Sequence, residues 1–177
     1  GGGSDKKAKE LDKTAKEELK IVEQLEEAKV KAMEDGIEKT LALIRLQYKK
    51  EIDAIKGNSE AAQKLRLLKA KELAVKLAQA QAAYDTQRAD IDLKNRLATV
   101  KEGSEEEYTL KLNQLEKQRE AEIAEAKKTG ADVALINAKY RKQEEDLLEE
   151  HIQKQMEILN KKSANAQLRA DADYEAK

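Results

Sequence analysis

The chain has 177 residues, 40 per cent of them Asp, Glu, Lys or Arg, and a net charge of −1 at neutral pH. It has no Cys, which excludes a disulfide framework, a thiol nucleophile and a Cys-based zinc site, and its interleaved charges leave no basic stripe to neutralise phosphates, so no nucleic-acid partner is expected. No apolar run approaches the roughly 20 residues of a membrane span, and a chain dominated by Ala, Leu, Glu, Lys and Gln, without Pro, Phe or Trp, predicts an all-α fold.

Residues 1–4, GGGS, read as a flexible linker or an expression scar, and no signal peptide is visible. The first helix is expected from Asp5 to about Met33, with Leu11, Ala15, Val22, Leu25 and Ala32 on one stripe. Residues 5–18 carry few large apolar side chains, so helix and frayed terminus both stay open there. At Asp35-Gly36 the pattern weakens. Asp35 with Glu38 three positions on fits a capping box, and an interior Gly is the alternative.

A second helix, Ile37 to Lys56, carries its stripe at Ile37, Leu41, Ile44, Tyr48, Ile52 and Ile55. Leu43 and Leu46 widen that face beyond a two-helix seam, which implies more than one neighbour. Gly57 suits a left-handed stop, and Ser59 followed by Glu60 suits a new N-terminus. A third helix follows to about Val100, thin in large apolar residues over LAQAQAAYDTQRAD. The break at Gly103-Ser104 has Gly at the stop, Ser at the N-cap and Glu107 to complete a capping box. The fourth helix is expected over Glu105 to Lys128. Thr129 and Asp132 suggest another capping box before a fifth helix that carries Val133, Ile136, Tyr140, Leu147, Ile152, Met156 and Leu159. Beyond Lys161 the apolar residues shrink and fraying is expected.

The corner EIDAIKGNSEAAQKL, residues 51–65, returns 71 residues later as EIAEAKKTGADVALI. The same shift pairs Leu41 with Leu112, Ile44 with Leu115, Ile52 with Ile123 and Leu65 with Ile136, while Tyr48 falls on Arg119. Internal repetition argues for units that stack on their neighbours. Short helices alternating with long ones predict an antiparallel coiled-coil arrangement of spectrin-like tandem three-helix bundles, each short helix lying along half of a flanking long one. The rival is one extended rod. The expected division is 5–80 for a first bundle repeat, 81–160 for a second and 161–177 for a frayed C-terminal helix.

Candidate chemistry is sparse. His151 is the only His, and a di-iron bundle site needs two Glu-x-x-His units. Leu148 stands where the acid would be, so His151 reads as a packed or rim residue. Tyr48, Tyr84, Tyr108, Tyr140 and Tyr174 read as half-buried rings with hydroxyls reaching water. Glu27/Lys31, Glu107/Lys111, Glu150/Lys154 and Glu157/Lys161 have the favourable i, i+4 order. No phosphate loop, nucleophile elbow or metal cluster is visible. The expectation is a non-enzymatic chain with no catalytic, cofactor-binding or metal-binding residue, no cofactor and no small-molecule partner.

MEDGIEKTLALIRLQYKKEIDAIKGNSEAAQKL and EIAEAKKTGADVALINAKYRKQEEDLLEE resemble the repetitive helical middle region of phage tail tape measure proteins, of the type carried by phages and prophages of gut Bacteroidetes. The resemblance covers about residues 30–155. It implies a structural protein of the virion that lies as extended helix in the tail tube, contacts tail tube proteins and sets tail length by its own length. No functional residue is carried across. The alternative is a helical-bundle interaction or scaffold module, natural or designed, soluble and cytoplasmic, that meets its partner or a second copy through helix–helix packing. An apolipoprotein-like surface binder is disfavoured, because Trp, Phe and the basic rim of interfacial helices are missing.

Overall fold

The computed structural model describes residues 2–176. These form five helices: α1 Gly2–Lys31, α2 Ile37–Asp53, α3 Glu60–Thr99, α4 Glu105–Thr129 and α5 Val133–Ala176. No strand occurs among the described residues, and the protein is an all-α helical bundle in which neighbouring helices pack. The chain divides into two compact units, Gly1–Arg88 and Ala89–Lys177, so the boundary falls inside α3.

In the first unit α2 lies between the end of α1 and the start of α3. Lys49 and Lys50 reach Glu26 and Glu27 of α1 at 2.8 and 3.0 Å. On the other side Lys69 of α3 donates to Glu51 at 3.0 Å and sits 6.0 Å from the Tyr48 ring centre. Leu41, Tyr48 and Ala62 are the buried apolar residues of this unit. Leu41 and Tyr48 come from the stripe read off the sequence, whereas Leu43, which widens that face, stays exposed.

In the second unit α4 runs antiparallel to α5. Its first residue Glu105 reaches Gln155 at 2.9 Å, and Glu122, far along α4, pairs with Lys139 near the start of α5. Lys117 of α4 stands 3.8 Å from Asp90 on the last part of α3. Leu93, Leu110, Ala126 and Tyr140 are buried here with His151. Among the described residues no large side chain falls below 2 per cent exposure, so each unit is held by a thin seam rather than a deep core. Helices so rich in Lys and Glu depend on that seam, since propensity alone leaves an isolated helix marginal.

Two of the expected corners form as the local chemistry dictates. Ser59 Oγ accepts from the Ala62 amide at 3.1 Å, and Ser104 Oγ accepts from the Glu107 amide at 3.1 Å. Glu107 reaches back, but to the Gly103 amide, at 3.2 Å, one residue before the cap. Gly103 and Gly130 have φ of 79° and 75°, the left-handed region that other residues rarely adopt. At Gly130 the amides of Gly130 and Ala131 both bond the Ala126 carbonyl and close α4.

Other expectations need correction. The Asp35 capping box does not form: the N-cap of α2 is Gly36 without a side-chain bond, and Asp35 accepts from Lys39 instead. The Thr129 box is absent too. Thr129 is the last residue of α4, its hydroxyl donates back to the Glu125 carbonyl at 3.2 Å, and Asp132 alone caps α5 through the Ala134 amide at 2.9 Å. Thr donating to the carbonyl four residues back is a competing local bond that continues a helix rather than starting one. Helix α2 stops at Asp53 rather than Lys56, because Ile55 turns inward and Arg66 takes its carbonyl at 3.0 Å.

Helix also extends where little was expected. Helix α1 begins at Gly2, so Gly2–Ser4 are helical, and α5 continues to Ala176; Gly1 and Lys177 lie outside the described residues. Residues 2–25 and 161–176 are exposed throughout, so neither stretch rests on tertiary packing.

Candidate functional site

The densest cluster of polar groups lies where the start of α4 meets α5. Ser104 starts α4 one turn before Tyr108, which places Glu105 and Tyr108 on the face turned to His151. The His151 ring stacks on Tyr108 with centroids 4.7 Å apart and planes 17° from parallel. Its Nε2 lies 3.0 Å from Glu105 Oε1, an oxygen that also accepts from Gln155 at 2.9 Å. His151 is 6 per cent exposed, and its Nδ1 is buried without a hydrogen-bond partner.

One turn along, Lys154 is shared by Glu107 at 3.2 Å, Glu150 at 3.1 Å and Glu102 at 3.6 Å. Lys111 adds a contact to Glu150 at 3.5 Å. Bonds to His151 and then to Gln155 hold the Glu105 carboxyl below its ordinary value. For Glu107, burial pushes upward, but the Gly103 amide, the Lys154 bond and the Lys111 charge outweigh it and the net direction is down. Lys154 is pushed up, first by Glu150 and, against burial, by Glu107. A cleft of about 360 Å³ adjoins this cluster, between the α3–α4 loop and Gln155, Ile158 and Leu159.

These groups are occupied with one another. A Glu–His pair is one half of a general-base arrangement, yet Ser104 Oγ, the nearby hydroxyl in sequence, already caps α4 and donates to the Lys101 carbonyl at 2.6 Å. His151 Nδ1 faces the interior. Among the described residues no group of three or more His, Cys, Asp or Glu is placed to hold a metal ion. His151 is packed, as its position in the pattern suggested, and the structure adds its partners. Tyr108 is half-buried as its place in the pattern suggested, but nothing in the sequence paired it or Glu105 with His151; the signal available was their shared spacing on the face of α4.

The repeated corner carries an ion pair each time, in registers that differ by one: the Glu residues are 71 apart and the Lys residues 70. Glu51 opens the EI pair of the first corner and meets Lys69; Glu122 opens that of the second and meets Lys139. Each Lys also lies over a Tyr ring, Lys69 at 6.0 Å from Tyr48 and Lys139 at 5.0 Å from Tyr140. Tyr48 and Tyr140 are buried, Tyr108 is half-buried, and Tyr84 and Tyr174 are exposed. Of the four i, i+4 pairs, Glu27–Lys31, Glu107–Lys111 and Glu150–Lys154 form.

The long helices keep large apolar residues in solvent. On α1 these are Leu11, Leu19, Ile21, Val22 and Leu25, and on α5 they are Leu135, Leu148, Ile152, Met156, Leu159, Leu168 and Tyr174. No described helix is long and apolar enough to cross a membrane. Comparison of the chain with protein-family models, with curated proteins and with solved structures found no match.

Proposed function

We propose that the chain is a non-enzymatic structural segment, a helical repeat of the tape-measure kind that works in a phage tail through helix–helix packing. The observation that carries this reading is the junction of a shorter helix with a longer one that occurs twice, with Glu51–Lys69 and Glu122–Lys139 pairing across it. The polar chemistry of both corners serves to position helices. A molecule that measures length needs repeating helical units of fixed rise, and at 1.5 Å per residue one 71-residue unit corresponds to about 107 Å of helix. A Cβ at Gly57 or Gly130 would meet nothing within 4 Å, so neither corner is locked by contacts at its glycine. Deleting one unit from the parent gene shortens the tail by about that length in electron micrographs; a tail of unchanged length refutes the ruler.

The folded state favours a second reading, an interaction or scaffold module. The first corner is clamped as a bend by Arg66 donating to the Ile55 carbonyl at 3.0 Å, and the second by the packing of α4 along α5. Under that reading tail length is untouched, and loss of the exposed α1 or α5 stripe abolishes capture of a partner helix.

A further inference from the structure

Helix α5 carries two apolar faces. Tyr140, His151 and Ile158 face α4 and the loop before it. Leu148, Ile152, Met156 and Leu159 fall within about 80° of arc on a second face, roughly a third of a turn away at 100° per residue. All four are exposed, Met156 by 58 and Leu159 by 63 per cent. Ser163, Ala166 and Ala170 continue the same face at steps of three and four residues, so it runs without a charge from Leu148 to Ala170. In a chain that is 40 per cent charged, an uncharged strip of this length is the pattern of a helix–helix seam.

The charges beside the strip are segregated. Glu145, Asp146 and Glu149 flank its start, and residues 144–150 contain no base. Lys162 and Arg169 flank its end, with Lys161 on the far side of the helix, and residues 161–169 contain no acid. None of these six side chains takes part in an ion pair among the described residues, whereas Glu150 and Lys154, on the face toward α4, do.

We infer that this strip is a homodimer seam: α5 of a second copy lies antiparallel across it, centred near Met156 and Leu159. Antiparallel pairing sets the acidic start of one helix against the basic end of the other, while parallel pairing sets like against like. It also faces the large residues Leu148 and Ile152 with the small Ser163 and Ala166, which lets the two backbones approach closely. The arrangement is isologous, so it closes at two copies. It rests on the structural reading above and names a partner for it, yet a monomer leaves that reading standing.

Sedimentation equilibrium of the whole chain at up to about 100 μM, far above a Kd in the low micromolar range, gives the mass of a dimer. Ile152→Glu with Leu159→Glu weakens it by at least about 100-fold, as four apolar side chains per dimer turn charged. Both positions are exposed, so circular dichroism keeps its helix signal. Charge reversal of Glu145 and Glu149 to Lys weakens the dimer, and adding Lys162→Glu with Arg169→Glu restores it. After annealing of mixed chains, Ile152→Cys and Ser163→Cys form a disulfide with each other and not with themselves. A wild-type monomer, a dimer that survives Ile152→Glu/Leu159→Glu, or self-linked Ser163→Cys overturns the inference. So does a wild-type monomer that floats with anionic vesicles, which assigns the strip to a lipid surface.

Discussion

Gly103→Ala tests whether the α3–α4 turn is fixed by backbone conformation alone or also by contact with α5. At φ 79° any L side chain meets the left-handed penalty, roughly 1–2 kcal/mol. A Cβ at Gly103 would also stand 2.5 Å from Ile158 Cδ1 and 3.5 Å from Lys154 Cβ. Carbon atoms pack at roughly 3.5–4.0 Å, so Ile158 must leave its rotamer or α5 must shift, an overpacking effect of about 1–3 kcal/mol. The two terms give a loss of about 2–5 kcal/mol. Gly57 and Gly130 share the conformation, with φ of 81° and 75°, but a Cβ there meets nothing within 4 Å. Gly57→Ala and Gly130→Ala therefore lose only the first term, about 1–2 kcal/mol. The assay is native-state amide exchange of α4 and α5, which reports the unit that holds Gly103 rather than the whole chain. Ile158→Val removes the clashing methyl, so in that background Gly103→Ala loses only about 1–2 kcal/mol, and the coupling is about 1–3 kcal/mol. A coupling below about 0.5 kcal/mol, within the scatter of independent sites, refutes the contact argument.

Ser104→Ala leaves the Glu107 amide without its cap and destabilises α4 by about 0.5–2 kcal/mol, whereas Asp35→Ala, whose exposed carboxylate bonds Lys39 rather than a helix amide, changes stability by less than about 0.5 kcal/mol; urea titrations of both variants separate the two, and equal losses would contradict the cap assignment. Lowering pH weakens the α4–α5 junction. The folded carboxyls of Glu105, Glu107 and Glu150 titrate below their ordinary value of 4.5, so their contribution is complete above that value and is lost as pH falls through the folded ones. Amide exchange in α4 that speeds up below pH 4.5 only as fast as in α1 would show that these bonds do not matter. His151→Leu removes a buried nitrogen that has no partner and leaves Glu105, largely exposed, to water; the melting temperature stays level or rises, and a loss above about 2 kcal/mol would mean that the Tyr108 stack and the Glu105 bond outweigh the orphaned atom.

Helix positions were legible in the sequence because their signals are local. Gly57, Gly103 and Gly130 mark stops since only Gly enters the left-handed region freely. Ser59 and Ser104 mark starts since a hydroxyl can take an orphaned amide. Asp35 and Thr129 misled for the same reason. A capping residue has several bonds within reach, and the choice between Lys39 and an amide, or between a carbonyl behind and an amide ahead, depends on backbone geometry that the one-letter pattern does not carry.

What the sequence by itself determined is the all-α fold, the corners between helices and the faces that are apolar, all consequences of propensity and spacing along one strand of chain. Which faces are covered was decided only by tertiary structure. Leu41 and Leu148 stand on equally periodic stripes, yet one is buried and the other is 44 per cent exposed. The difference is whether another helix lies against that face. The same holds for His151, a lone residue at the edge of a stripe until α4 brings Tyr108 and Glu105 against it. Burial is a property of two surfaces meeting, and the periodicity of one helix specifies only one of them.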